Sequence, residues 1–142
     1  MIVPATDSSR SNGPGRLVLV AERDSATRSL ESHFLAASGV SVQCVADGQA
    51  ALELAKSARP EIVITEILIP RIDGLALCRR LKADAETSDT RVLVVSVLAA
   101  AVRAREAGAD GFLLKPISED RLVATVKNLL SQEGSRDEAR DV

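Results

Sequence analysis

The chain has 142 residues, 46% of them hydrophobic but only 1% aromatic, so we expect one domain with an aliphatic core. Eighteen basic and twenty acidic side chains leave a net charge of −2, which gives no electrostatic case for binding nucleic acid or an anionic membrane. No apolar run reaches the roughly 18 residues of a membrane span, and the N-terminus does not resemble a signal peptide, so we expect a cytoplasmic protein.

The first elements in the chain are a lead-in, a strand and a helix. Residues 1–15 are rich in Gly, Pro and Ser and are expected to be flexible. The apolar run 16–21 is typical of a strand buried on both faces. Asp24 or Ser25 can cap the helix that follows. Before Gly39 ends that helix, apolar residues recur at helical spacing, at Ala26, Leu30, Phe34 and Ala37.

The next stretch predicts an edge strand, a second helix and a third strand. Residues 40–45 alternate between apolar and polar, which favours the edge of a sheet. Asp47 opens a helix that ends before Pro60. The β-branched run within 61–65 predicts a strand, and Glu66 follows directly at its carboxyl end.

The remaining elements follow the same alternation. Asp73 is expected to cap a helix that runs to about Lys82. Arg91–Ser96 is an apolar run that predicts a buried strand, and an alanine-rich helix is expected over 98–107. Gly111–Leu114 is a short fifth strand. A last helix, capped by Ser118, turns four apolar residues inward, at Leu122, Val126, Leu129 and Leu130.

Five strands alternating with five helices predict an α/β fold. Connections of this length need right-handed crossovers between parallel strands. A first strand that is apolar throughout and a second strand at the edge favour the order 2-1-3-4-5, which is the flavodoxin-like, doubly wound parallel sheet. The folded domain is expected over 16–131, with a flexible tail over 132–142.

Polar side chains follow the strands at the edge where open α/β sheets place their chemistry. The carboxyl ends of strands 1, 3, 4 and 5 carry Glu22 with Arg23, Glu66, Ser96 and Lys115, respectively. Glu66 on its own has a second interpretation, a solvated charge where a strand meets a loop. No Gly-rich phosphate-binding pattern follows the first strand, which argues against a dinucleotide enzyme.

Four segments resemble the receiver domain of two-component response regulators. The stronger two are RPEIVITEILIPRIDGLALCRRL at 59–81 and EAGADGFLLKP at 106–116. VLVAERD at 18–24 and CVADGQAALELA at 44–55 are weaker but consistent. Together the resemblance covers about 16–130.

The resemblance assigns a role to each residue at the predicted edge. In that family, an aspartate at the end of strand 3 takes a phosphoryl group from a histidine kinase, and two acidic residues after strand 1 help it hold Mg²⁺. Here Glu66 stands at the phosphoacceptor position, and the acidic pair aligns with Glu22 and Arg23. A register that pairs Ala21 with Glu22 is an alternative.

Three further positions match the switch residues of the family. Ser96 takes the place of a hydroxyl residue at the end of strand 4. Lys115, followed by proline, takes the place of the lysine that ends strand 5. Phe112 matches an aromatic residue whose side chain changes orientation on activation.

The substitutions at Glu66 and Arg23 predict a changed chemistry. Glu22, Arg23 and Glu66 sum to one negative charge, where three carboxylates would give three. A guanidinium next to the ion site repels a divalent cation and can replace it beside a carboxylate. Glu66 is also one methylene longer than aspartate, which misaligns in-line attack. We expect an ion pair from Glu66 to Lys115, Arg23 or both.

Together these features imply an atypical receiver. We interpret the chain as a pseudo-receiver: not an enzyme, without a metal or cofactor, and signalling by protein contact independently of aspartyl phosphorylation. The alternative is a working phosphoacceptor that uses Mg²⁺ and a histidine kinase donor. A receiver-like relic with no signalling role is a third reading.

The expected partner surface is the face made by helix 4, strand 5 and helix 5, which the resembled family uses for dimers or bound partners. The segment 97–102 carries no charge and opens a loop-and-helix segment shorter than the family's usual span. Its apolar side chains are either buried by the helix itself or exposed as a docking patch. We expect a protein partner there, including a second copy of the chain, and no nucleic acid or membrane.

Overall fold

A five-stranded parallel sheet is the middle layer of the computed structural model, which describes residues 16–141 and the side chains of 16–132. Its strands are β1 (Leu17–Ala21), β2 (Ser41–Val45), β3 (Ile62–Thr65), β4 (Arg91–Ser96) and β5 (Gly111–Leu114). They pair in the order β2-β1-β3-β4-β5, so the predicted fold class and the edge position of β2 are confirmed. The predicted lead-in over 1–15, and the tail side chains beyond 132, lie outside the described part.

Five helices connect and cover the strands within the described range: α1 (Ser25–Ala37), α2 (Gly48–Ala58), α3 (Gly74–Ala83), α4 (Ala101–Glu106) and α5 (Glu119–Asp141). Asp24, Asp47 and Asp73 cap the first three helices as predicted, each accepting a backbone N–H three residues on, at 2.9, 2.7 and 2.9 Å. No helix of the described residues has the length and hydropathy that a membrane crossing requires.

The hydrophobic core has two layers, because successive strand residues point to opposite faces of the sheet. Leu19, Val63 and Val92 face α2, α3 and α4, where Ala55 and Leu77 pack against them. The opposite layer joins the sheet to α1 and α5 through Val18, Ile62, Leu93, Leu35 and Leu122. Each fully buried side chain of this kind stabilises the fold by about 1.5–3 kcal/mol.

The buried face of α1 differs from the predicted one. The residues that α1 buries are Glu31 and Leu35, whereas Leu30 is 49% exposed. Phe34 is half-buried against the core layer beneath α1 and α5. Apolar side chains lie on more than one side of this helix, so spacing alone did not identify the side that meets the sheet.

The start of α4 also differs from the prediction, since the helix begins at Ala101 rather than at residue 98. No side chain caps it, and Leu98 N–H donates instead to Ser96 Oγ at 3.1 Å. Val97, Leu98 and Val102 are 57%, 37% and 59% exposed. The short helix therefore does not bury these three side chains.

Helix α3 begins directly beneath the end of β3, and this close approach requires glycine. A Cβ at Gly74 would lie 2.3 Å from the carbonyl oxygen of Glu66. The N–H of Gly74 donates to the Ile67 carbonyl at 2.9 Å, which ties the loop after β3 to the start of the helix. The loop that carries Glu66 is thereby fixed against the start of α3.

Candidate functional site

The carboxyl edge of the sheet brings together four predicted site residues. Ala21 pairs with Thr65 at the ends of β1 and β3, so the next residues, Glu22 and Glu66, emerge side by side. Lys115 Nζ lies 2.6 Å from Glu22 Oε1 and 2.8 Å from Glu66 Oε1. Its ammonium therefore bridges the two carboxylates, which are only 3% and 4% exposed.

The carboxylate of Glu66 is surrounded by donors. Its Oε2 accepts a short hydrogen bond from the hydroxyl of Ser96, and accepts the N–H groups of Ile67 at 2.7 Å and Leu68 at 3.2 Å. Its Oε1 accepts the N–H of Val97 at 3.3 Å besides the ammonium of Lys115. Both oxygens are thus hydrogen-bonded inside the protein.

These donors decide the charge state of the site. Burial on its own raises the pKa of Glu66, but the hydrogen bonds from Lys115, Ser96 and Leu68 N–H outweigh it, and the pKa falls below its ordinary value of 4.5. For Lys115, burial lowers the pKa, while Glu22 and Glu66 raise it by more, so the net shift is upward. Glu66 and Lys115 therefore form a buried ion pair at neutral pH.

Arg23 does not join this cluster. Its side chain is exposed, and within residues 16–132 it forms no ion pair. Asp24 caps α1, and its N–H donates to Glu22 Oε2 at 2.9 Å. Arg28 donates to the carbonyl of Glu22 at 2.7 Å. Of the two expected partners of Glu66, it is Lys115 that supplies the positive charge.

Phe112, the remaining predicted switch residue, lies on β5 opposite Val94 of β4. Its side chain is half-buried and packs against the core layer beneath α2, α3 and α4. It is therefore part of the sheet and of this core layer, in the strand that pairs with β4.

The donor set at this edge fits an ammonium better than the Mg²⁺ that the resemblance implies. Mg²⁺ requires near-octahedral oxygen ligands. Glu22 and Glu66 are already joined by the ammonium of Lys115, and Arg23 carries a positive charge where the resemblance implies an acidic ligand. No group of three or more His, Cys, Asp or Glu side chains in the described part of the chain could hold a metal ion.

A buried carboxyl that the sequence analysis missed lies near this cluster. Glu31 is 2% exposed, and its Oε2 has no hydrogen-bond partner among the described residues. Burial, together with repulsion from Glu22 and Glu66, raises its pKa to about 7 against the opposing effect of Lys115. The sequence signal that could have placed Glu31 on the buried side of α1 is Leu35, because residues four apart lie on the same face of a helix.

The sequence matches a known protein family over most of its length. The family model described as the response regulator receiver domain matches residues 18–127. Response regulator MprA of Mycobacterium avium is 33% identical over 128 residues, which make up 88% of this chain and 55% of the relative. MprA of Mycolicibacterium vanbaalenii is 35% identical over 116 residues, 80% of this chain and 49% of the relative. The chain thus spans about half the length of these curated relatives.

Solved structures with the same fold are receivers as well. The signal receiver domain of a signal transduction histidine kinase from Syntrophus aciditrophicus has a TM-score of 0.76 and 32% identity, covering 81% of this chain and 89% of that chain. Chemotaxis response regulator CheY4 of Vibrio cholerae has a TM-score of 0.75 and 25% identity, covering 80% and 97%. The likeness therefore extends over most of the described sheet and its helices.

Proposed function

Because the chain belongs to the response regulator receiver family, we propose that it acts in two-component signalling as a non-enzymatic binding module that does not depend on aspartyl phosphorylation. The observation that carries this proposal is the Lys115 ammonium, which joins Glu22 to Glu66 at 2.6 and 2.8 Å. The proposed setting is the cytoplasm, and the free thiols of Cys44 and Cys78 are in keeping with a reducing compartment.

The occupied oxygens of Glu66 disfavour its use as a nucleophile. For phosphoryl transfer, a carboxylate oxygen must attack phosphorus in line while the bond to the leaving oxygen breaks. Glu66 would have to give up hydrogen bonds to Ser96, Ile67 or Lys115 before either oxygen could attack. Its extra methylene, relative to aspartate, adds to the misalignment, and positioning supplies most of the catalysis in this chemistry.

The same contacts suggest what Glu66 does instead. It draws the hydroxyl of Ser96 and the ammonium of Lys115 toward one buried carboxylate. These two residues match the switch positions of the family. Glu66 thus acts as a built-in acidic group that holds an active-like arrangement permanently.

The proposed partner surface is the face of α4, β5 and α5. Val97, Leu98 and Val102 are exposed around the start of α4, and Leu114 of β5 is 43% exposed. Large apolar side chains left in water favour a protein contact. The proposed occupant is a protein partner with an apolar surface, or a second copy of this chain.

Charged substitutions test this surface. Leu98→Glu or Val102→Glu should abolish self-association or partner capture and leave the fold intact, because both side chains already lie in water. Sedimentation velocity, circular dichroism and capture of partners from the source cells provide the readouts. Ser57→Glu is the control for an added charge, since Ser57 is exposed on α2, which packs against β1 and β2 at the opposite edge of the sheet from β5. Unchanged association and capture in both Leu98→Glu and Val102→Glu would refute the surface.

A second candidate function is that of a working phosphoacceptor, which takes its phosphoryl group from a histidine kinase with Mg²⁺. The observation in its favour is the 33–35% identity to response regulators, with carboxylates retained at Glu22 and Glu66. It requires the Lys115 ammonium to release Glu66 when phosphoryl transfer occurs. An oxygen of Glu66 would then bond to phosphorus as the bond from phosphorus to the histidine nitrogen of the kinase breaks, which leaves an acyl phosphate on Glu66.

Intact mass after incubation with acetyl phosphate and Mg²⁺ separates the two functions. We expect no added phosphate, and no saturable heat in a calorimetric titration with millimolar Mg²⁺. Glu66→Gln is the control for chemistry at other residues. One phosphate on the natural chain that is missing from Glu66→Gln would establish the phosphoacceptor and overturn the phosphorylation-independent function.

A further inference from the structure

We propose that the cleft beside Glu31 binds a small organic cation, a primary ammonium carried on a compact hydrocarbon body. This site adjoins the Glu66 cluster, with which it shares Lys115, but it does not rest on the function proposed above. Three observations carry it: a cleft with apolar walls, a buried carboxylate oxygen without a partner, and an excess of buried negative charge.

The cleft has room for a small ligand. Its volume is about 370 Å³, and it opens between α1 and the segments that follow β4 and β5. Small-molecule sites commonly measure about 300–1,000 Å³. Its apolar wall consists of Leu30, Phe34, Val97, Pro116 and Ile117. Leu30 and Val97 are 49% and 57% exposed, so a hydrocarbon body lying between them would remove apolar surface from water.

The acidic group in this wall is Glu31, and one of its carboxylate oxygens lacks a hydrogen-bond donor. Its side chain lines the cleft, while its Oε2 is buried without a hydrogen-bond partner among the described residues. No ion pair links Glu31 to a cation in that part of the chain. A buried polar atom without a partner is costly, and a ligand donor in the cleft would remove that cost once the Glu31 carboxylate turns toward it.

The charge balance selects a cation over a neutral donor. Glu22, Glu31 and Glu66 are three carboxyl groups that are each less than a twentieth exposed. Lys115 faces the same cleft but already pairs with Glu22 and Glu66. An ammonium beside Glu31 would therefore meet a net negative environment and also supply the missing hydrogen bond. The apolar walls and the lack of a three-residue acidic group in the described part disfavour a metal ion.

A pair of isosteric probes tests the chemistry of the ligand. Benzylamine carries the ammonium, and benzyl alcohol has the same ring without the charge. At pH 8, where Glu31 is mostly ionised, we expect benzylamine to bind the full chain saturably, with ¹H–¹⁵N shift changes centred on Thr27 and Ile117 at the two sides of the cleft. Benzyl alcohol should bind at least about tenfold more weakly, as expected for loss of a charge-assisted hydrogen bond. Equal binding of both probes, or no saturable binding of benzylamine, would overturn the proposal.

A substitution tests the residue. Glu31→Gln keeps the size of the side chain and removes its charge, so it should weaken benzylamine about tenfold and leave benzyl alcohol unchanged. Glu86→Gln is the control, because Glu86 is exposed and does not line this cleft. Undiminished benzylamine affinity in Glu31→Gln would exclude Glu31 as the binding group. If this variant fails to fold, the comparison of the two probes on the natural chain still decides.

Discussion

Glu66 and Glu31 are both buried near the carboxyl edge of the sheet, at 4% and 2% exposure, yet their pKa values move in opposite directions. The pKa of Glu66 is lowered, because hydrogen bonds outweigh burial. The pKa of Glu31 rises to about 7, because burial and repulsion from nearby carboxylates outweigh the opposing effect of Lys115. The difference teaches that burial alone does not set the charge of a carboxyl group; the available donors do.

The two residues differ in donors because they lie on different elements. Glu66 follows a strand, where the turning backbone leaves the N–H groups of Ile67 and Leu68 free to point at its carboxylate. Glu31 lies in the middle of α1, where backbone N–H groups already bond to carbonyls one turn earlier. A carboxyl group on a helix therefore depends on other side chains or on a ligand for its donors.

The largest expected effect comes from removing the ammonium of Lys115, which Glu22 and Glu66 share. Lys115→Met keeps the hydrocarbon stem but leaves Glu22 and Glu66 side by side without a positive charge. We expect a loss of roughly 3–5 kcal/mol in the free energy of unfolding. Urea denaturation followed by far-ultraviolet circular dichroism measures it, since the chain has no Trp. Lys127→Met, at an exposed position of α5, is the control. A loss below about 1 kcal/mol, typical of exposed pairs, would contradict a buried bridge.

The next effect concerns Glu31 and has a defined pH dependence. Its pKa is raised from 4.5 to about 7, so between these values the folded chain keeps a proton that the unfolded chain releases. The contribution of Glu31 to stability is therefore fully present below pH 4.5 and is lost as the pH rises through about 7. The charged groups that act on Glu31, namely Glu22, Glu66 and Lys115, are the same in the natural chain and in a Glu31 variant.

Glu31→Gln removes this decline, since its side chain is neutral at every pH. Relative to the natural chain, we expect the variant to unfold with similar free energy near pH 4.5 and to be about 3 kcal/mol more stable at pH 8. Urea denaturation at several pH values gives the difference, in which the contribution of Glu66 cancels. Glu86→Gln should reproduce the natural profile. Parallel profiles for the natural chain and Glu31→Gln would show that Glu31 is not a buried proton-binding group.

The smallest effect should come from one of the neutral donors to Glu66. Ser96→Ala removes a buried hydroxyl but leaves Lys115 and the backbone N–H groups in place. We expect a loss of about 1–3 kcal/mol, the range for a hydrogen bond to a charged group. Chemical denaturation, and ¹³C titration of the Glu66 carboxyl with an upward change in its pKa, measure it. Ser57→Ala is the control, because its exposed hydroxyl donates only to a helix carbonyl at 3.3 Å. An unchanged titration would mean that Ser96 does not influence Glu66.

The sequence predicted the sheet well because its signals are local. Continuous apolar runs marked the buried strands, alternation marked β2 as the edge, and aspartates marked three helix starts. The predicted strand order also placed four polar residues at one edge of the sheet, because the carboxyl ends of parallel strands lie on the same side. These residues are Glu22, Glu66, Ser96 and Lys115.

The rest depended on side-chain directions that spacing does not contain. Arg23 follows Glu22 in the chain but points into water, and Glu31 faces the sheet from a helix whose apolar residues lie on more than one side. No capping residue indicates that α4 starts as late as Ala101. The misses at Arg23 and Glu31 concern a choice that tertiary packing makes among locally equivalent faces, and the miss at α4 concerns a helix boundary.

The bridge at Lys115 also has a consequence for how the chain is made. It joins residues separated by 93 and 49 positions, so the ribosome completes both carboxylates long before their cation, at about 5–20 residues per second. A nascent sheet of β1 and β3 would have to bury two like charges with nothing between them. The edge therefore gains its cation only once the fifth strand has emerged. In a chain that stops short of Lys115, folding of this edge would require Glu22 or Glu66 to take up a proton.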